Sequence, residues 1–164
     1  MIGRTMLLGA TALALALPAS AFAEDVSYSV DGADFEGYFA AAEEPRGLVL
    51  IVHDWDGLTD YEKRRADMLA ELGYDAFAVD VYGAGNRPGD MEARIAATQE
   101  AFSDPERLMA MVSGGLETAR GLSDAGLPTT VMGYCFGGTV TVAAKRSGEL
   151  EDIAGYASFH GNFP

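Results

Sequence analysis

The hexapeptide Gly133-Tyr134-Cys135-Phe136-Gly137-Gly138 sets the only cysteine of this 164-residue chain among glycines, between the apolar run Pro128 to Met132 and a helix-compatible stretch. Few folds accept that pattern. A strand that turns sharply into a helix lifts the side chain at its apex clear of the backbone, and small flanking residues let the two elements approach closely. Such an elbow places the Cys135 thiol at a helix N-terminus, where unpaired N–H groups and the helix dipole favour a thiolate. The plain alternative for a lone cysteine is a small buried hydrophobe. Glycines two positions to either side of the thiol are hard to explain by packing alone, so the pattern points to a nucleophile.

Around this elbow the sequence switches between strand-like and helix-like periods at short intervals. Val26 to Val30 and Phe35 to Ala40 alternate, and Asp31-Gly32 between them reads as a hairpin turn. Gly47 to Val52, Ala76 to Val81 and Thr129 to Met132 are apolar runs of the kind found in strands buried on both faces, and Ile153 to Phe159 reads as a fourth strand. Thr59 can cap a helix that Gly73 stops near Leu72. Tyr82 to Asp90 has loop chemistry, Met91 to Phe102 and Pro105 to Leu122 read as helices, and Thr139 to Arg146 is the helix after the elbow. This alternation is the signature of an α/β fold, a mostly parallel sheet with helices on both faces and an N-terminal antiparallel hairpin. One domain is expected. Sheets of this kind carry their chemistry at the carboxyl ends of the strands, where His53, Asp54, Asp80 to Tyr82, Cys135 and His160 fall.

Residues 1–23 read as a cleavable export signal: Arg4 in a short basic head, an apolar stretch from Met6 to Leu17, and a small-x-small site at Ala21-Phe22-Ala23, with cleavage after Ala23. The apolar stretch is shorter than the roughly 20 residues a membrane span needs, so no stable membrane insertion is expected after cleavage. A periplasmic or secreted address follows, leaving residues 24–164 as the folded part. Without Arg4 the chain keeps ten basic against 25 acidic residues. That balance makes nucleic acid an unlikely partner and gives no long-range attraction for anionic substrates. One cysteine cannot form an internal disulfide, and an exported thiol has to survive oxidising surroundings, which argues for partial shielding.

Taken together, GYCFGG at the elbow, VLIVHDWDGL at the first buried strand, LAELGYDAFAVDVYG after the first helix and SFHG at the fourth strand resemble the dienelactone hydrolase family of the α/β-hydrolase superfamily. The resemblance runs through nearly all of the chain after the leader. It implies a lactone or carboxylic ester hydrolase in which Cys135 attacks the carbonyl, a histidine moves the proton and an aspartate orients the histidine. It also implies an oxyanion hole from the backbone N–H groups of Phe136 and Trp55. A carboxylate normally modulates the thiol, usually from a glutamate; Asp54 stands at that position. Family members continue for two further strands and helices after the SFHG strand, and those carry the triad aspartate and histidine. The expectation is therefore a C-terminally truncated domain with the last strands and helices missing, inactive and unstable on its own.

His53 precedes the nucleophile, and His160 follows it by too little to be the triad base in the usual order. His160 is instead a candidate for lining the pocket, as is Tyr82, and Arg87 is a candidate partner for a substrate carboxylate. The His and Cys residues lack metal-ligand spacing, and Gly83-Ala84-Gly85 lacks the third glycine of a dinucleotide fingerprint, so no metal or cofactor is expected. The partner expected is a small ester or lactone. Two alternatives stay open: a class I amidotransferase-like cysteine enzyme, and a non-catalytic exported binding protein on the same scaffold.

Overall fold

The computed structural model of the chain describes residues 22–123 and 126–162, so the expected leader up to residue 21 lies outside the described residues. Two strands, β1 (Ala23–Val30) and β2 (Ala33–Ala40), form the hairpin, with Asp31 at φ 51° and Gly32 at φ 80° in the turn. Positive φ at both central residues gives the turn twist that matches the strands. Ahead of β1, the Phe22 carbonyl accepts the Ala41 N–H at 2.8 Å and its ring meets Phe39 edge-on at 6.0 Å. Residue 22 is thus already part of the sheet's packing.

The remaining strands are β3 (Leu48–Val52), β4 (Asp75–Val79), β5 (Thr129–Tyr134) and β6 (Ile153–Phe159). They join the hairpin in one sheet of order β1-β2-β4-β3-β5-β6, antiparallel as far as the β2–β4 pair and parallel from β4 to β6. Four helices complete the described residues: α1 (Asp60–Glu71), α2 (Met91–Ser103), α3 (Pro105–Leu122) and α4 (Phe136–Ser147). Helix α1 covers β2, β3 and β4 on one face; α3 and α4 cover the other, and α2 lies against α3.

Both faces of the central strands are apolar, as a sheet covered twice requires. Leu48, Leu50, Val52, Phe77, Val79 and Val131 point into the larger core under α3 and α4, whereas Val49, Ile51, Ala76 and Ala78 meet α1. Helix α1 starts in a reciprocal cap: Thr59 accepts the Tyr61 N–H, and the buried Glu62 carboxylate accepts the Thr59 N–H at 2.9 Å.

Several boundaries differ from the sequence expectation: β1 starts at Ala23 and not Val26, β2 at Ala33 and not Phe35, and β5 runs on to Tyr134, while β4 and α4 differ for reasons the contacts show. Strand β4 stops at Val79, not Val81, because the Asp80 carboxylate takes the N–H groups of Tyr82 and Gly83 at 2.9 and 3.2 Å and bends the chain out of the sheet. Helix α4 begins at Phe136, not Thr139. Gly137 and Gly138, loop-like by composition, are helical because of what they touch. A Cβ on Gly137 would lie 2.2 Å from the Val52 carbonyl oxygen and 2.5 Å from that of His53. One on Gly133 would lie 2.3 Å from the Gly137 carbonyl.

These neighbours are backbone and cannot step aside, so Gly137→Ala should lower stability by at least about 3 kcal/mol or abolish soluble expression. Gly121→Ala, on α3 with nothing within 4 Å of the new methyl, should be neutral or stabilising by about 0.5 kcal/mol. Thermal denaturation of the two variants beside the parent chain checks both.

Candidate active site

Cys135 stands between β5 and α4 at φ 51° and ψ −110°, a backbone conformation L-residues rarely adopt. Strain of this kind persists only where the surroundings hold it. The Cys135 N–H donates to the Phe159 carbonyl of β6 at 3.0 Å, and the Cys135 carbonyl accepts the Thr139 N–H at 3.0 Å. The thiol is half-buried, and the Asp54 carboxylate and the Phe136 N–H both act on its ionisation.

The expectation of a thiolate is reversed. Burial pushes the Cys135 thiol above its ordinary value, and the charge and hydrogen bond of Asp54 push it further up, with Asp56 adding to them. The Phe136 N–H acts in the opposite direction and is outweighed. A helix N-terminus favours the anion, but a carboxylate on the thiol and loss of water disfavour it more. In this state Cys135 is a protonated thiol, its pKa raised by burial first and by the charge of Asp54 next.

The loop after β3 carries Asp54 and Trp55, and His53 pins it from beneath. His53 is fully buried; Nδ1 donates to the Asp54 carbonyl at 2.6 Å and Nε2 accepts the Val81 N–H at 3.2 Å. Accepting at Nε2 requires the neutral ring, and burial accordingly lowers the pKa of His53. Both nitrogens are spoken for, so His53 ties the ends of β3 and β4 together and cannot serve as the base. The Asp54 N–H reaches the buried Glu62 carboxylate at 3.4 Å, which fastens the same loop to α1.

The two expected oxyanion donors differ in state. The Phe136 N–H favours the thiolate, whereas the Trp55 N–H donates to Asp54 Oδ1 at 2.5 Å. This second N–H is occupied, because a carboxylate folds back readily onto the N–H of the next residue. Tyr82 packs against the start of α4. Its phenol donates to the Trp55 carbonyl at 3.3 Å, its ring packs on His53 and Phe136, and burial with the nearby Asp54, Asp56 and Cys135 keeps it protonated.

Arg87 is a correction. Its Nη2 donates to Glu36 at 3.2 Å and its Nη1 lies 3.9 Å from the buried Asp80 carboxylate, so it serves the hairpin and the β4 loop and is not free for a substrate carboxylate. His160 is exposed directly after β6, at φ 42°, between Phe159, which holds the Cys135 N–H, and Gly161, which abuts Gly138. The sequence reading missed Glu62, Asp56 and Arg94. Arg94 lies 5.6 Å above the Trp55 ring, with Nη2 3.8 Å from Asp56. The Thr-x-x-Glu spacing could have revealed Glu62, but nothing local marks Arg94 as a neighbour of Trp55. Among the described residues no three His, Cys, Asp or Glu side chains are grouped to hold a metal ion, and no helix is long and apolar enough to cross a membrane.

A mostly parallel sheet covered on both faces, with a strained cysteine at a strand-to-helix elbow after β5, defines an α/β-hydrolase-type fold. The sequence model of the dienelactone hydrolase family matches residues 35–164, and the chain belongs to that family. Among solved structures it is similar to m3DLH, with 27% identity, a TM-score of 0.80, and 89% of this chain and 62% of that chain covered. It is also similar to a dienelactone hydrolase-like promiscuous phosphotriesterase from metagenomic libraries, at 26% identity and TM-score 0.76, covering 87% and 60%. A dienelactone hydrolase from Anabaena variabilis, at 20% identity and TM-score 0.65 over 86% of this chain and 64% of that one, shares the fold. The chain thus spans less than two thirds of the length of these structures. No curated protein sequence matches it.

Since burial and the charge of Asp54 disfavour the thiolate, alkylation of Cys135 by iodoacetamide should rise with pH along a curve centred above that of a free thiol, near 8.5. Removing the negative charge favours the anion, so Asp54→Asn should move the midpoint to lower pH. An unmoved or raised midpoint would show that Asp54 does not set the thiol's ionisation.

Proposed function

We propose that Cys135 is the nucleophile of a hydrolase that opens a lactone or cleaves a carboxylic ester through an acyl-thiol intermediate. The observation that carries this is the elbow itself: a cysteine at φ 51° between a strand and a helix, its turn held by hydrogen bonds to Phe159 and Thr139. A merely structural cysteine has no need of that backbone or those partners.

The chemistry follows from the positions. Sγ gives up its proton and adds to the substrate's carbonyl carbon, while the carbonyl electron pair moves onto oxygen. That oxyanion meets the Phe136 N–H, and meets the Trp55 N–H as well once Asp54 lets it go. Collapse restores the carbonyl and expels the alkoxide, which takes up a proton to leave as the alcohol. Water then hydrolyses the thioester to the acid and frees the thiol. Each proton transfer needs a base, and His53 is committed at both nitrogens. In this proposal the base and its aspartate come from the part of the relatives' length that this chain does not span. The export signal read at residues 1–23 would make the enzyme periplasmic or secreted.

A second reading, an exported binding protein on the same scaffold, draws on the occupied Trp55 N–H and the raised thiol. Acylation separates the two. With p-nitrophenyl acetate at alkaline pH, the 164-residue chain should release up to one equivalent of nitrophenol, gain one acetyl group by mass on Cys135, and then stall. Cys135→Ala should show no burst. An unchanged burst in that variant removes Cys135 as nucleophile, and a parent chain that is never acylated favours the binding protein.

A further inference from the structure

His53 is fully buried beside the elbow, and both of its nitrogens are engaged, so no proton transfer can use it. A buried imidazole is costlier than an apolar side chain of its size unless its hydrogen bonds are made. Its partners are specific. Nδ1 donates at 2.6 Å to the carbonyl of the peptide group between Asp54 and Trp55, and the N–H of that same peptide group is the second of the two oxyanion donors. The group is planar and trans, so its C=O and N–H point in opposite directions. Drawing the carbonyl onto the buried ring therefore turns the Trp55 N–H the other way, to the side where the Asp54 carboxylate takes it at 2.5 Å. The Gly57 N–H shares the carbonyl at 3.2 Å, and the Val81 N–H fixes the far side of the ring by donating to Nε2 at 3.2 Å. The residue of the other donor touches the same ring: His53 and Phe136 stack with centroids 5.7 Å apart and planes 24° from parallel.

From this arrangement we infer that His53 is a positioning residue for the oxyanion hole. It aims the Trp55 N–H through the Asp54 carbonyl and keeps it in register with the Phe136 N–H through the ring stack. This rests on Cys135 as the acylated group. Donors stabilise an oxyanion most when they are already aimed at the place where its charge develops. With the Gly57 N–H as its remaining anchor, the peptide group would be free to tilt, and a small tilt of a donor is expensive in rate.

Two rates at the same thiol isolate this role. Acylation by p-nitrophenyl acetate passes through an oxyanion, whereas alkylation by iodoacetamide displaces iodide at a saturated carbon and forms none. Both consume the same thiolate, so the acylation rate divided by the alkylation rate cancels changes in the thiol's ionisation and access. In His53→Gln the side-chain amide can still accept from Val81 but carries no donor at the Nδ1 position, and the quotient should fall by about tenfold. In His53→Asn the amide nitrogen takes the Nδ1 position and the Val81 N–H loses its partner, so the melting temperature should fall while the quotient stays within about twofold of the parent's. A quotient unchanged in His53→Gln, or one that falls equally in both variants, overturns the inference. If neither variant folds, the nitrogen NMR signals of the imidazole in the parent chain decide: a proton on Nδ1 and none on Nε2 at neutral pH supports the inference, and the reverse tautomer overturns it. A burst that survives Cys135→Ala removes the nucleophile and this inference with it, whereas a Cys135-dependent burst with an unmoved quotient removes the role of His53 alone.

Discussion

The close approach of α4 to the end of β3 is the constraint on which the rest of this structure depends. Gly137 sits against the Val52 and His53 carbonyls, where no side chain fits, and Gly133 sits equally close to Gly137. Those contacts set the distance between the loop that follows β3 and the turn that follows β5. The first carries Asp54 and Trp55 and the second carries Cys135, so the charge of Asp54 acts on the thiol because the backbones have already met. The positive φ of Cys135 is tolerated for the same reason, since the turn is fixed at both ends by hydrogen bonds to Phe159 and Thr139.

Buried polar groups do the remaining positioning. Asp80, His53 and Glu62 lie inside the protein, yet each is satisfied by backbone N–H groups or carbonyls from the loops that hold the site. Their cost of desolvation is offset only while those partners stay in place, so each group fixes a loop conformation as well as a side chain. Asp80 shapes the turn that delivers Tyr82, His53 binds that turn to the loop of Asp54, and Glu62 binds the loop to α1. The result is a polar layer directly beneath the reactive surface, with apolar strands below it.

Much of the fold was legible in the sequence because its signals are local. The Asp31-Gly32 turn, the apolar runs of β3 to β6 and the Thr59 cap are each contained in a few adjacent residues, and the elements fall where those residues put them. The start of α4 was not legible, since Gly137 and Gly138 look like loop residues until the β3 carbonyls beside them are known. The placement of Asp54, Tyr82 and Cys135 at one site followed from the rule that strand ends carry the chemistry. Partnerships across the fold were hidden. Arg87 finds Glu36 from 51 residues away, and the thiol's upward shift comes first from its burial and then from a carboxylate on a distant loop, which a helix dipole alone does not anticipate.

The hydrogen bond from the Cys135 N–H to the Phe159 carbonyl ties the reactive turn to β6, which is the outermost strand among the described residues. A shift of β6 along β5 is therefore passed straight to the amide that holds the strained turn, while β3 and its loop stay in register. The aim of the thiol is thus set by the pairing of β5 with β6 as much as by the packing of the core.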